Sequence, residues 1–151
     1  MSESLSVELE GGCLCGKVRY TVELNTLDAG LCHCSMCKRA SGSFAAALVQ
    51  LHPNKVRWHA EPDRYASSPI AERLFCARCG SPIGWAAKAG DDMDLMLGSF
   101  NEPSEFVPVA HGGAERILER WLNTEGLPRY RTDEIASTVE RWRAAGEEVP
   151  D

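Results

Sequence analysis

The sequence predicts a mainly β protein with one C-terminal helix, and three observations carry that prediction. Residues Lys17 to Leu24 alternate between polar and apolar side chains. Several further short runs rich in strand formers are divided by turn residues, the spacing of an all-β chain. The stretch Asp133 to Ala145, by contrast, repeats its apolar residues with helical spacing.

In Lys17 to Leu24, Val18, Tyr20, Val22 and Leu24 fall on one face and Lys17, Arg19, Thr21 and Glu23 on the other. Period-two alternation of this kind marks a half-buried antiparallel strand. Phe44 to Leu51 and Lys55 to Trp58 read as further strands, divided by the turn signal His52-Pro53-Asn54. Arg73 to Cys76 and Ile83 to Ala86 flank a Cys-x-x-Cys-Gly segment, which predicts a hairpin with cysteines at its tip. Leu95 to Phe100 is a short strand after the polar Asp91-Asp92 turn. Ala114 to Asn123 has Leu118, Trp121 and Leu122 at helical spacing, but periodicity over so short a run does not separate helix from strand. In the C-terminal helix, Ile135, Val139 and Trp142 recur at i, i+4 and i+7, with Thr132 or Asp133 as the cap and Gly146 at the end.

Length and charge bound the function. The chain has 151 residues, about one domain's worth, and is expected to form a single domain over 1–151. Lysine and arginine number 16 against 22 aspartates and glutamates, a net charge of −6. That balance, with no dense basic run, argues against a nucleic-acid binder working through a general basic face. No apolar stretch approaches the ~20 residues of a membrane span. Met1 to Glu10 has neither a basic n-region nor an apolar h-region, so no secretory signal is expected and the expected location is cytoplasmic.

Cysteine is the informative residue. The seven cysteines fall at 13, 15, 32, 34, 37, 76 and 79. An odd count without a secretory signal argues against a disulfide framework. The clusters are a CxC, a CxCxxC and a CxxC. Alternation on an extended segment puts both CxC thiols on one face, and a tight turn does the same for CxxC. Gly16 and Gly80, each directly after a cysteine, suit the left-handed backbone of such a knuckle. Seven thiolates divide naturally into tetrahedral sites of four and three. Cys13, Cys15, Cys76 and Cys79 would close a structural zinc site. Cys32, Cys34 and Cys37 would hold a second zinc with one position open. Spacing alone leaves three readings of that triplet: an open reactive site, a structural site completed by a histidine, or a redox dithiol. His33 is the nearest candidate for a fourth ligand, but it lies between two cysteines on a segment read as extended, so its ring should point away from theirs. His52, His59 and His111 are lone histidines of surface or core.

The motifs resemble those of a known family. Gly12-Cys13-Leu14-Cys15-Gly16-Lys17-Val18-Arg19-Tyr20, Cys32-His33-Cys34-Ser35-Met36-Cys37-Lys38-Arg39-Ala40-Ser41-Gly42-Ser43 and Phe75-Cys76-Ala77-Arg78-Cys79-Gly80-Ser81-Pro82-Ile83 are similar, in this order, to the three cysteine motifs of the glutathione-dependent formaldehyde-activating enzymes. Trp121 and Gly126-Leu127-Pro128-Arg129-Tyr130 resemble the closing pattern, so the likeness covers residues 11–130. The chain is short for that family, and its predicted helix at 133–145 lies outside the likeness. The resemblance implies several coiled antiparallel β-sheets around the zinc sites, with extended structure over Ala114 to Arg120. It implies two zinc ions per chain: a structural one on Cys13, Cys15, Cys76 and Cys79, and a catalytic one on Cys32, Cys34 and Cys37. It also implies a carbon–sulfur lyase that joins glutathione, as co-substrate, to formaldehyde, giving S-(hydroxymethyl)glutathione. The partners are then a small-molecule thiol and an aldehyde, with neither nucleic acid nor membrane.

A zinc held by three thiolates suits the binding of a fourth, deprotonated sulfur, and the thiolate is the nucleophilic form. Lys38 and Arg39, beside the triplet, could meet a glutathione carboxylate; as surface charges they could equally be solvated. No residue stands out as a general acid. The alternatives are an enzyme acting on another thiol adduct, and a zinc-stabilised binding module or glutathione carrier without turnover. The centromere protein V group shares this cysteine scaffold, but the acidic charge and the lack of a basic tail set this chain apart from a chromosomal role.

Overall fold

The computed structural model describes residues 5–150. The chain divides into two compact units, one ending at Leu118 and the other beginning at Glu119. The first is built from ten strands: β1 (Val7–Gly12), β2 (Arg19–Leu24), β3 (Asp28–Cys32), β4 (Ala46–Leu51), β5 (Val56–Ala60), β6 (Asp63–Ser68), β7 (Ala71–Phe75), β8 (Pro82–Ala87), β9 (Met93–Met96) and β10 (Val107–Gly112). One helix, α1 (Ser35–Ser41), follows β3. Three strands form a sheet in the order β1-β2-β5; the other seven run β10-β3-β4-β9-β8-β7-β6. The architecture is mainly β, as the alternation and turn spacing predicted.

Tyr20 shows why the alternating stretch anchors the core. It is almost wholly buried on β2, together with Val22 and Leu24. Its ring packs edge-on against Trp58 at 5.5 Å and Phe100 at 5.6 Å, and its hydroxyl meets Ser99 Oγ at 2.6 Å. A buried phenol needs such a partner, because an unbonded hydroxyl would forfeit its hydration. Leu74, Ile83, Val49 and Leu95 from the larger sheet belong to the same cluster. Burying each such side chain contributes about 1.5–3 kcal/mol.

Several expectations need correction. The sheets are not antiparallel throughout: β10 pairs with β3 in parallel, with an irregularity between Pro108 and Ala110. Parallel pairing needs a long connection between the two strands, and most of the unit separates β3 from β10. Leu95 to Phe100 is not one strand, because β9 stops at Met96 and Leu97–Ser99 forms a 3-10 turn. There the Ser99 hydroxyl donates to the Met96 carbonyl at 2.7 Å, a local bond that competes with the sheet ladder. Extended structure over Ala114 to Arg120 is overturned as well. Ala114–Arg116 is a 3-10 turn closed by Arg116 N–H to the Gly113 carbonyl at 3.0 Å, and α2 (Glu119–Leu122) follows in the second unit.

The second unit carries α2 and α3 (Ala136–Ala144). α3 starts later than predicted because Thr132–Glu134 is a 3-10 turn, preceded by Arg131, which pairs with Asp133 at 2.9 Å. Neither Thr132 nor Asp133 caps the helix; Ile135 holds that position without a side-chain bond. Among the described residues, no helix is long and apolar enough to cross a membrane.

Candidate metal centres

The first unit gathers all seven cysteines into two clusters. Cys13 and Cys15 lie on the loop after β1, and Cys76 and Cys79 form the tip of the β7–β8 hairpin. Their four Sγ atoms all lie within 4.8 Å of one another. A tetrahedral zinc with bonds of ~2.3 Å to sulfur separates its ligand sulfurs by about 3.8 Å. Here Cys13 and Cys15 Sγ stand 3.6 Å apart, and Cys15 and Cys76 Sγ 3.7 Å. A disulfide would bring two sulfurs to about 2.05 Å, so the spacing fits ligands of one ion rather than oxidised pairs.

Local backbone chemistry explains how this set forms. Gly80 adopts φ +80°, and its N–H donates to the Cys76 carbonyl at 2.7 Å, folding the knuckle back on itself. The Leu14 N–H donates to Ser81 Oγ at 3.0 Å, which ties the two cysteine loops together. The Ser81 hydroxyl, 3.2 Å from Cys79 Sγ, and then the Ser81 N–H lower the Cys79 thiol to about 5. The Val18 N–H donates to Cys13 Sγ at 3.2 Å.

The second cluster forms where β3 meets α1. Cys32 ends the strand, Cys34 caps the helix, and Cys37 sits in its first turn, so the segment is only partly extended. Their three Sγ atoms lie within 4.8 Å of one another. The Cys37 N–H donates to Cys34 Sγ at 3.3 Å, so one residue is both helix cap and candidate ligand. Gly113 adopts φ +59°, and a Cβ there would sit 2.8 Å from Cys34 N; only glycine lets the chain pass this close. Cys37 is buried, which pushes its thiol up to about 12 even though Arg73 donates to its sulfur. A metal ion bound to that sulfur would hold it as the thiolate.

Among the described residues, no histidine or carboxylate joins the three sulfurs. His33 is fully buried and its Nε2 meets His111 Nδ1 at 2.8 Å, so the ring is directed to β10. His52 caps a 3-10 turn and His59 Nε2 bonds Thr21 Oγ1 at 2.7 Å. Lys38 Nζ donates to the Arg116 carbonyl, whereas Arg39 is exposed and lines a cavity of about 550 Å³ with Met36, Tyr65, Arg73, Phe75 and Met96.

Sequence reasoning missed Arg73. Its Nη2 donates to Cys37 Sγ at 3.5 Å. The only signal was strand alternation in β7, and the sheet register needed to use it is non-local. Asp94 on β9 is perturbed as well: burial raises its carboxyl, Asp92 adds to the shift, and Arg73 opposes it.

Comparison with known proteins agrees with the cysteine pattern. The sequence model of the family described as glutathione-dependent formaldehyde-activating enzyme matches residues 8–115. That span holds all seven cysteines and stops short of Trp121 and the Gly126–Tyr130 pattern. An uncharacterized lyase of Schizosaccharomyces pombe is 31% identical over 83 residues, covering 55% of this chain and 61% of that protein. The chain therefore matches about three-fifths of that relative's length. A crystal structure of a Rhodobacter sphaeroides protein matches with a TM-score of 0.54 at 22% identity, over 68% of this chain and 99% of that one; the likeness is one of fold.

Proposed function

The chain belongs to the glutathione-dependent formaldehyde-activating enzyme family, and from that premise we propose that it is a zinc-dependent carbon–sulfur lyase that joins glutathione and formaldehyde into S-(hydroxymethyl)glutathione. The observation that carries the reading is the inequality of the two clusters, one converging four sulfurs and the other three. Cys13, Cys15, Cys76 and Cys79 would hold a closed structural zinc; Cys32, Cys34 and Cys37 would hold a zinc with one position free. Zinc bound there supplies a place for one more sulfur and keeps that sulfur ionised at neutral pH.

The chain's residues contribute position. The triplet fixes where the substrate sulfur sits, and the cavity past Met36 and Arg39 takes the body of the peptide, with Arg39 facing a carboxylate. Lys38 is less suited to that role, its ammonium being engaged by the Arg116 carbonyl. The sulfur then attacks the aldehyde carbon. A carbon–sulfur bond forms, the carbonyl π pair moves to oxygen, and that oxygen takes up a proton equivalent to the one the thiol released. Thiol and aldehyde also combine unaided, so the gain comes from orientation and a standing thiolate.

Cobalt substitution tests the reading. Glutathione should shift the cobalt spectrum as a further sulfur binds, and S-methylglutathione should do so far more weakly. Adding formaldehyde should speed exchange between free and hydroxymethylated glutathione, followed by NMR, beyond the uncatalysed rate. A spectral change without faster exchange would point to a carrier or another electrophile. No change at millimolar glutathione would leave a zinc-stabilised binding module.

A further inference from the structure

We propose that Arg73 is the counter-charge of the cysteine triplet, a positioning residue whose guanidinium neutralises the site so that it can accept one more anionic sulfur. The inference rests on the reading of the triplet as an open zinc site and deepens it by naming what makes that site receptive to thiolates.

Register places Arg73. On β7 it lies opposite Tyr65 of β6 and Trp85 of β8, and Trp85 in turn lies opposite Asp94 of β9. Directly paired residues share a face, and so do residues two apart on one strand. Arg73 therefore stands on the same face of the large sheet as Met96, which packs with Ala46 and Cys37. Its neighbour Glu72 falls on the opposite face and pairs with Arg64 at 3.2 Å.

The guanidinium lacks the partner that a shielded cation ordinarily has. Nη2 donates to Cys37 Sγ, while Nη1 is buried and makes no hydrogen bond among the described residues. Within that set no carboxylate lies within ion-pair distance of Arg73; Asp94 feels its field without touching it. Shielding a cation from water is costly unless negative charge stands beside it. The triplet supplies that charge. Three thiolates around a divalent cation carry one net negative charge, and Arg73 cancels it. A fourth thiolate then approaches a neutral site instead of an anionic one, a difference that counts at short range in a half-buried setting.

The four-cysteine cluster shows the contrast. Cys13 receives a backbone N–H and Cys79 is met by a serine hydroxyl, both uncharged. Arg19, beside that cluster, gives its Nη1 to the carbonyls of Cys13 and Val18 and none of its bonds to sulfur. A closed set has no further anion to admit, and among the described residues no guanidinium or ammonium donates to its sulfurs.

The test uses the full chain loaded with cobalt, comparing wild type with Arg73→Gln, Arg73→Met and Arg73→Lys. Glutathione affinity is read from the cobalt spectrum, and imidazole, a neutral ligand, is titrated in parallel. Removing the charge should weaken glutathione by about 10- to 100-fold, the usual range for a group that supports metal ligands. Imidazole affinity should change little, and Arg73→Lys should recover most of the glutathione affinity. Equal losses for glutathione and imidazole would show general damage to the site and overturn the proposal. So would full glutathione affinity in either neutral variant. If both neutral variants fail to fold, Arg73→Lys decides: near wild-type glutathione affinity upholds a charge role, and a loss of ten-fold or more with imidazole unchanged overturns it. A wild-type protein that shows no thiol-dependent spectral change would sink the lyase reading itself, a result distinct from failure of the arginine's role.

Discussion

Cys37 and Cys79 present the same thiol, yet replacing each by serine should have different consequences. Cys79 closes a knuckle whose four sulfurs join the loop after β1 to the β7–β8 hairpin, so its metal would be coupled to folding of the chain. Cys79→Ser should give insoluble or poorly folded protein. Cys37 lies in a triplet confined to one strand end and one short helix, and Cys37→Ser should fold while holding metal weakly at that cluster. Thermal melts and zinc per chain would check this, and equal instability of both variants would remove the main support for an open site. Tyr20→Phe offers a smaller effect: Ser99 keeps its bond to the Met96 carbonyl, so the loss should be about 0.5–1.5 kcal/mol in denaturant unfolding. At this scale the cysteines were legible because residue type and spacing carry the chemistry. Arg73 was not legible, since an arginine on an alternating strand looks like any solvated charge until the sheet register shows what faces it.

Among the elements, legibility followed burial contrast. β2 was read from its alternation of apolar and polar residues, and β4 as an apolar run ended by the His52-Pro53-Asn54 turn. β1, β3, β6 and β10 were missed: β1 and β3 are short runs that contain glycine, Asp63–Ser68 has little apolar contrast, and all six residues of β10 are exposed. α1 was missed because its seven residues span only two turns, too few to show a period. The same contrast predicts dynamics. β10 is an edge strand held by β3 alone and contains Pro108, whereas β4 and β9 lie inside the sheet with buried Val49 and Leu95. Native-state hydrogen exchange should therefore be faster in Val107–Gly112 than in Ala46–Leu51, and comparable protection in the two would contradict this account. Asp94, on β9, has a folded-state carboxyl raised mainly by burial, so the folded state binds its proton more tightly than the unfolded chain. Its ionisation then opposes folding as pH rises. Asp94→Asn should melt above wild type at neutral pH, with the difference shrinking on acidification toward the unfolded carboxyl's ~3.9.

For the whole molecule, the four-plus-three division of sulfurs was legible because three tight spacings admit few partitions. The order of the sheets was not, since it depends on pairings between distant segments such as β3 and β10. The second unit shows a further gap: its helical spacing was visible, but among its described residues no side chain is buried, so its periodicity could not point to a core. The division of sulfurs has a consequence for the entire chain. If each cluster holds a zinc, metal analysis of reduced protein should find two per chain. The two should leave in sequence, because three protein ligands hold less firmly than four and only the four-sulfur set joins distant parts of the fold. A chelator added in steps should first remove one equivalent with the β-sheet circular dichroism unchanged. The second equivalent should leave together with the loss of that signal, since release of a structural zinc is coupled to unfolding. One zinc per chain, or both lost in a single step with unfolding, would show that the two clusters are not the closed and open pair their sulfur counts describe.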